Sequence, residues 1–473
     1  LILLALSQGI HSQIIEKVID SARIEKLDEV LVKAIRVEAS SPITHSNVSK
    51  AELATRNLGQ DLPILLNYLP SVVTTSDAGA GIGYTGIRVR GVSAQSTNIT
   101  INGIPYNDAE SLGTFWVDLP DFASSVESLQ LQRGVGTSTN GSGAFGASIN
   151  ILTDAISKDS QAEISNTFGS YNTLKHNLKF STGLLGSNIE ISGRLSQIKS
   201  DGYIDRAASD LKSYFLQGAY TDDNTLIKML VFGGHEITYQ AWNGIDAETL
   251  KNNRTFNPSG TYIDDDGTIN FHENEVDNYK QDHYQLHWNQ KINNYWSARI
   301  GLNYTYGRGY FEQYKENQSF SDYDLNDLII GDTIINETDL IRRRWLDNRF
   351  YVVTTSISHT KKDLAMSFGS SFSLYDGDHF GEIIWAQYAS DSKINDKYYE
   401  GNGEKLELNI FTKATYKLNE KLSIYGDLQF RIIDYKTSGL TSDRVNMLIN
   451  EKYNFFNPKA GFTYEFNDGN SLY

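Results

Sequence analysis

From about residue 157 onward this chain alternates between apolar and polar residues, and that pattern restricts its fold more than any other feature. In KLELNIFTKATYKL, Leu406, Leu408, Ile410, Ala414, Tyr416 and Leu418 fall on one face, with Lys405, Glu407, Asn409, Lys413 and Lys417 on the other. LSIYGDLQFRI repeats this, with Leu422, Ile424, Leu428, Phe430 and Ile432 opposed to Ser423, Asp427, Gln429 and Arg431. A period of two means strands with two unlike faces. Alternation alone also describes a soluble sandwich. The connections separate the two. GLLGS (183–187), TDDNT (221–225), INNYW (292–296), TKKD (360–363), LNEK (418–421) and NDGN (467–470) are tight. Between them lie polar stretches at 241–277, 312–346 and 377–403, up to ~35 residues long where a barrel's outer loops would be. Short turns on one side and long loops on the other indicate an antiparallel transmembrane β-barrel.

Such a chain needs no helical span, and no run of ~18 apolar residues is present. LILLALSQGIHSQ (1–13) is apolar but short, and reads as the apolar core and cleavage zone of a secretory signal whose basic start is missing. An exported chain without a spanning helix crosses a membrane only as a closed barrel. The 28 Tyr, 21 Phe and 6 Trp suit the half-wet belts of a membrane interface. The absence of cysteine excludes disulfides and thiolate metal sites. A net charge of −16 argues against a nucleic-acid partner.

Ahead of the alternating region, residues 14–42 read as a linker carrying one β-prone island, LDEVLVKA. Residues 43–156 read as a compact α+β domain. The leucines of 50–69, ended by Pro70, predict helical turns, and IRVRGV and NITING predict short strands. GSGAFG (141–146) spells the dinucleotide fingerprint G-x-G-x-x-G, but ASINILTD after it alternates like a strand. Without a helix N-terminus no pyrophosphate is held. Gly134, Gly136, Gly141, Gly143 and Gly146 are therefore expected to be structural, allowing close backbone approach.

DEVLVKA, IRVRG, INGIPYND and above all DLPDFASSVESLQLQRGVGTSTNGSGAFGASINI (118–151) resemble a TonB-dependent outer-membrane receptor. FGSYNT, SDGYIDRA, TYQAWNG and LIRRRWLDN are similar to a ferric-citrate-type branch common in Bacteroidetes. The resemblance implies a plug (43–156) in the lumen of a 22-stranded barrel whose wall starts at 157. About twelve strands are recognisable here, with SLY beginning another, so the chain is expected to be a fragment.

The resemblance also implies active import by a monomer embedded in outer-membrane lipid. TonB, energised with ExbB and ExbD at the inner membrane, would grip a TonB box at Asp28, Glu29, Val30, Leu31, Val32, Lys33 and Ala34. The physics is strand addition to a sheet edge. Arg88, Arg90 and Arg133 would lock the plug to barrel glutamates. Ligand would meet Thr75, Ser76, Tyr84, Gln95, Thr114, Phe115 and Trp116 at the plug apex, and Trp242, Arg342, Arg343 and Arg344 in the outer loops. The arginines suit an anionic ferric chelate, because Arg meets carboxylates bidentately. Ferric citrate or another siderophore is the expected cargo, with iron entering only as chelate and no resident cofactor or metal. Cobalamin or an oligosaccharide is the alternative; a passive porin or adhesin would need neither plug nor TonB box.

No catalytic constellation emerges. YIDDDGTINFHENE lacks calcium-loop spacing, HYQLH (His283, His287) is not H-E-x-x-H, and there is no G-x-S-x-G. The chain does not read as an enzyme.

Overall fold

The computed structural model describes residues 36–38, 41–139, 141, 144–264, 266–467 and 470–473. The proposed signal (1–13) and TonB box (28–34) lie outside the described residues.

Thirteen strands, from Gln161–Gly169 to Asn470–Leu472, form one antiparallel sheet in which each pairs with the next in sequence. The first and last strands are its two edges, so the sheet does not close on itself among the described residues. Its faces are inverted relative to a soluble protein. Leu195, Leu216, Met229, Val353, Phe372 and Ile410 stand exposed on the outside, while Gln217, Lys228, Asn289, Arg299 and Asn409 are buried on the inside. An apolar outer band around a polar interior is the arrangement of a barrel wall in lipid. The polar face of KLELNIFTKATYKL is the inner one: Lys405 Nζ donates to Ala109 O at 2.7 Å and Asn409 Nδ2 to Ser138 O at 3.3 Å.

The wall curls around the N-terminal domain. That domain is built on a five-stranded sheet in the order His45–Ser49, Val126–Arg133, Ala147–Thr153, Thr97–Ile101 and Ile104–Pro105. Thr97–Ile101 runs parallel to Ala147–Thr153, and the other pairs are antiparallel. A separate hairpin pairs Val72–Ser76 with Thr85–Val89. Leu53, Leu66, Ile99, Ile101, Leu129, Leu131, Ile149 and Ile151 form the core, which continues into Phe215, Leu230 and Phe232 of the wall. Plug and wall share one apolar cluster.

The helical expectation for 50–69 needs correction. Two short helices form, Lys50–Ala54 and Leu62–Leu65. The first is fixed by a capping box between Ser49 and Glu52. Gly59, at φ 120°, adopts a conformation helices do not use. The connections 312–346 and 377–403 are also shorter as loops than expected. Strands Trp296–Ser319, Glu337–Lys361, Leu364–Ala386 and Asp396–Lys417 carry much of their length. A transmembrane strand needs only about 9–11 residues, so these ladders are much longer than a membrane crossing requires.

Ala147–Thr153 is a strand, as its alternation implies, and is buried along its whole length. Gly146 N donates to Ser96 O at 2.7 Å and Gly146 O accepts from Gly134 N at 2.7 Å. A Cβ on Gly146 would run into Val92 and sit 3.2 Å from Ser96 O. These glycines serve chain packing. Gly143 lies outside the described residues.

Candidate ligand cavity between plug and wall

A cavity of about 680 Å³ opens where the plug meets the wall. That size falls in the usual range for small-molecule sites. The plug contributes Tyr84, Tyr106, Asp108, Phe115 and Asp118; the wall contributes Glu236, Trp242, Asp277, Phe311 and Arg344. Its aromatic edge is continuous. Tyr84 packs edge-on to Trp242 at 5.5 Å, Trp242 edge-on to Phe311 at 6.2 Å, and the Arg344 guanidinium lies 5.9 Å from the Phe311 ring. The Tyr84 hydroxyl donates to Asp277 and, at 3.4 Å, to Glu236. Burial pushes this phenol well up, and the charges of Glu236 and Asp277 add to the shift. It therefore stays a donor.

Of the residues expected to meet ligand, Tyr84, Phe115, Trp242 and Arg344 line this cavity. The others do not. Trp116 is 3% exposed and belongs to the plug core, whereas Phe115 is 45% exposed. One step along the chain turns the side chain from core to cavity. Ser76 Oγ accepts from Gly81 N at 2.9 Å, bracing the hairpin loop, and Thr75 is exposed on the same hairpin. Thr114 is bonded by Asn107 Nδ2 at 3.2 Å, and Gln95 is exposed in the short turn Ala94–Ser96. Arg342 donates to the Tyr323 hydroxyl at 2.8 Å and to Gln313 at 2.9 Å. Arg343 is paired with Glu312 at 2.8 Å and lies over Tyr310 at 4.3 Å. All three arginines sit on strand Glu337–Lys361, not in a loop.

The glutamate partners expected for the plug arginines do not appear among the described residues. Arg88 and Arg90 are exposed. Arg133 donates from Nε to Pro70 O at 3.1 Å and from Nη1 to Ser46 Oγ at 3.0 Å. None of the three pairs with a carboxylate among the described residues. Buried ion pairs do join plug and wall, but with the acid on the plug. Asp121 lies 2.6 Å from Lys175 and 3.4 Å from Arg194. Asp154 lies 2.6 Å from Lys179 of the wall, and also 2.7 Å from the half-exposed Lys50 of the plug itself. Asp121 enters from a left-handed position (φ 52°) ahead of the turn Phe122–Ser125. Asn177, Ser196 and Ser124 donate to its oxygens at 2.5, 2.7 and 2.6 Å. Burial pushes its carboxyl up, yet Arg194 and Lys175 pull harder, so it titrates well below the usual carboxylate range. Sequence reasoning missed this set. Lys175, Asn177 and Lys179 at spacing two on an inward face were the available signal.

A second contact holds the apical loop. Glu110 accepts from His379 Nε2 at 2.7 Å and from the Tyr375 hydroxyl at 2.9 Å. His283 is a buried packing residue, stacked on Phe232 at 4.6 Å and bonded to Thr305 at 2.8 Å. Among the described residues no three potential ligands gather as a metal site.

A lipid-facing wall of antiparallel strands with a folded domain packed against its polar face defines a plugged β-barrel receptor. The chain belongs to the TonB-dependent receptor family. Residues 37–148 match the TonB-dependent Receptor Plug Domain and residues 219–473 the TonB dependent receptor-like beta-barrel. It is 32% identical over 180 residues to the Vitamin B12 transporter BtuB of Vibrio vulnificus, a match spanning 37% of this chain and 28% of that protein. The ferric-catecholate import receptor Fiu from E. coli K12 superposes with a TM-score of 0.65 at 15% identity, covering 91% of this chain and 68% of that one. The ferric citrate transporter FecA superposes with a TM-score of 0.68 at 13% identity, covering 91% and 61%. At such identities these likenesses concern the fold.

Proposed function

We propose that this chain is part of a TonB-dependent importer that carries a ferric chelate, ferric citrate or another siderophore, across the outer membrane. The observation that carries the reading is the cavity shared by plug and wall. A ligand touching Tyr84 on one side and Trp242 and Phe311 on the other senses the position of the plug. Ligand can drive a change only by binding one plug state more tightly than another, and a site split between two bodies has that property. TonB then pulls on residues 28–34 by strand addition, and the plug shifts to open a path. The named cargoes of the structural neighbours Fiu and FecA favour iron. The likeness to a vitamin B12 transporter favours cobalamin as the second reading.

The test is uptake of radiolabelled iron chelates by cells expressing the receptor, beside binding to the receptor purified in detergent. Deleting residues 28–34 should abolish uptake and leave binding intact. Lost binding would overturn the role given to the box. Binding of cobalamin but no iron chelate would overturn the cargo.

A further inference from the structure

We propose that the cavity selects a chelate bearing a cationic nitrogen on an otherwise apolar body, and discriminates against polyanionic chelates. This rests on the ferric-chelate reading and specifies the charge of its cargo, in the opposite sense to the expectation drawn from LIRRRWLDN.

The charges lining the cavity carry the argument. Asp108, Asp118, Glu236 and Asp277 face Arg344 and His379. His379 is engaged by Glu110 at 2.7 Å, and Arg342 and Arg343 are held by Tyr323, Gln313 and Glu312 away from the cavity. Arg344 is left against four carboxylates. Three of those four have protein partners. Asp108 accepts from Ser111 N and Oγ at 2.6 Å, Glu236 accepts from Thr238 at 2.9 Å, and Asp277 accepts from Tyr84.

Asp118 is the exception. It is 6% exposed, lines the cavity, and makes no side-chain hydrogen bond or ion pair among the described residues. A largely buried carboxyl whose oxygens open only into a cavity is costly to ionise, and native structures seldom leave one without a reason. Burial pushes Asp118 well up, and the charges of Asp277 and Asp108 push it further. A ligand cation would remove all three penalties at once by pairing with Asp118 and relieving its neighbours. Tyr106, Phe115, Trp242 and Phe311 add aromatic surface, which attracts cations and stacks with apolar bodies.

The experiment holds the metal core fixed and varies one charge. Ferrioxamine B, a ferric hydroxamate with a free ammonium, is compared with its N-acetyl (neutral) and N-succinyl (anionic) derivatives. Binding to the receptor in detergent is followed by calorimetry, with ferric citrate and cobalamin alongside. The ammonium form should bind at least tenfold tighter than the acetyl form, with the succinyl form weaker still. Asp118→Asn should erase that preference. The charge series on the unaltered chain decides the matter even where the variant folds poorly. Equal affinities, as a merely protonated Asp118 would give, would overturn the inference while the ferric reading stands. Tighter succinyl or citrate binding would do the same. Cobalamin binding with no ferric probe bound would overturn both.

Discussion

Asp121 in the plug places Oδ1 2.6 Å from Nζ of Lys175 in the wall, and both side chains are buried. With Arg194 on its other oxygen at 3.4 Å, this acid neutralises two wall cations. Asp121→Asn would leave both without their counter-charge. Breaking a buried pair from one side costs about 3–5 kcal/mol. The plug should lose that much of its hold on the wall, seen as a lower thermal midpoint in detergent and faster hydrogen exchange in 122–133.

The same residue fixes the pH dependence of that hold. Its folded-state pKa is depressed below the ordinary 3.8. The stability it supplies is therefore fully present above 3.8 and disappears as pH falls through the lower, folded value. Stability curves of the unaltered chain and Asp121→Asn should run apart at neutral pH and converge only in strong acid. Convergence already at pH 5–6, roughly two units above a free carboxyl, would contradict this.

Neighbouring aromatics in the plug should behave oppositely. Trp116→Ala removes a core side chain and should cost about 3–5 kcal/mol of stability. Phe115→Ala, in the cavity, should leave the unfolding midpoint in place and weaken ligand binding. Unfolding and calorimetric titration of the two variants distinguish these effects.

Gly234 of the wall lies against the plug backbone. A Cβ there would collide with the Asp118 carbonyl and come 2.7 Å from Pro120 Cδ. Gly234→Ala should destabilise plug docking by about 1–3 kcal/mol, as overpacking does, and should weaken ligand binding because it displaces Asp118. Thermal unfolding and titration check both effects.

The arginines should separate as well. Arg344→Gln removes a positive charge from the cavity and should tighten binding of a cationic chelate. At an effective dielectric near 20 and a separation of about 8 Å, such a charge is worth roughly 2 kcal/mol, or about thirtyfold. Arg343→Gln, whose guanidinium is held by Glu312, should leave that affinity as it was. Calorimetry on both variants gives the comparison.

The wall, the plug and their order were legible because each depends on local pattern. Spacing two made KLELNIFTKATYKL a strand with one polar face, and the structure turns that face toward the plug. Alternation in ASINILT excluded the helix that a nucleotide would require. The helical turns of 50–69 were legible as turns but not as two helices, because the break over 55–61, with Gly59 at φ 120°, is a matter of local backbone geometry.

The site was legible only in part. Tyr84, Phe115, Trp242 and Arg344 stood out as aromatic or basic residues near expected loops, but so did Trp116, Arg342 and Arg343. What divides the two sets is which way a side chain turns over one or two residues, and that depends on packing.

The amino-acid sequence by itself determined that this chain builds a lipid-facing wall and a glycine-threaded plug, because strand period and turn chemistry act between near neighbours in the chain. Only the tertiary structure decided which acid meets which base and which is left over. Asp121 finds Lys175, and Asp118 finds no partner among the described residues, because the plug lies against one particular stretch of wall. Charges acquire their partners through contacts between residues far apart in sequence, and burial sets how strongly those contacts count.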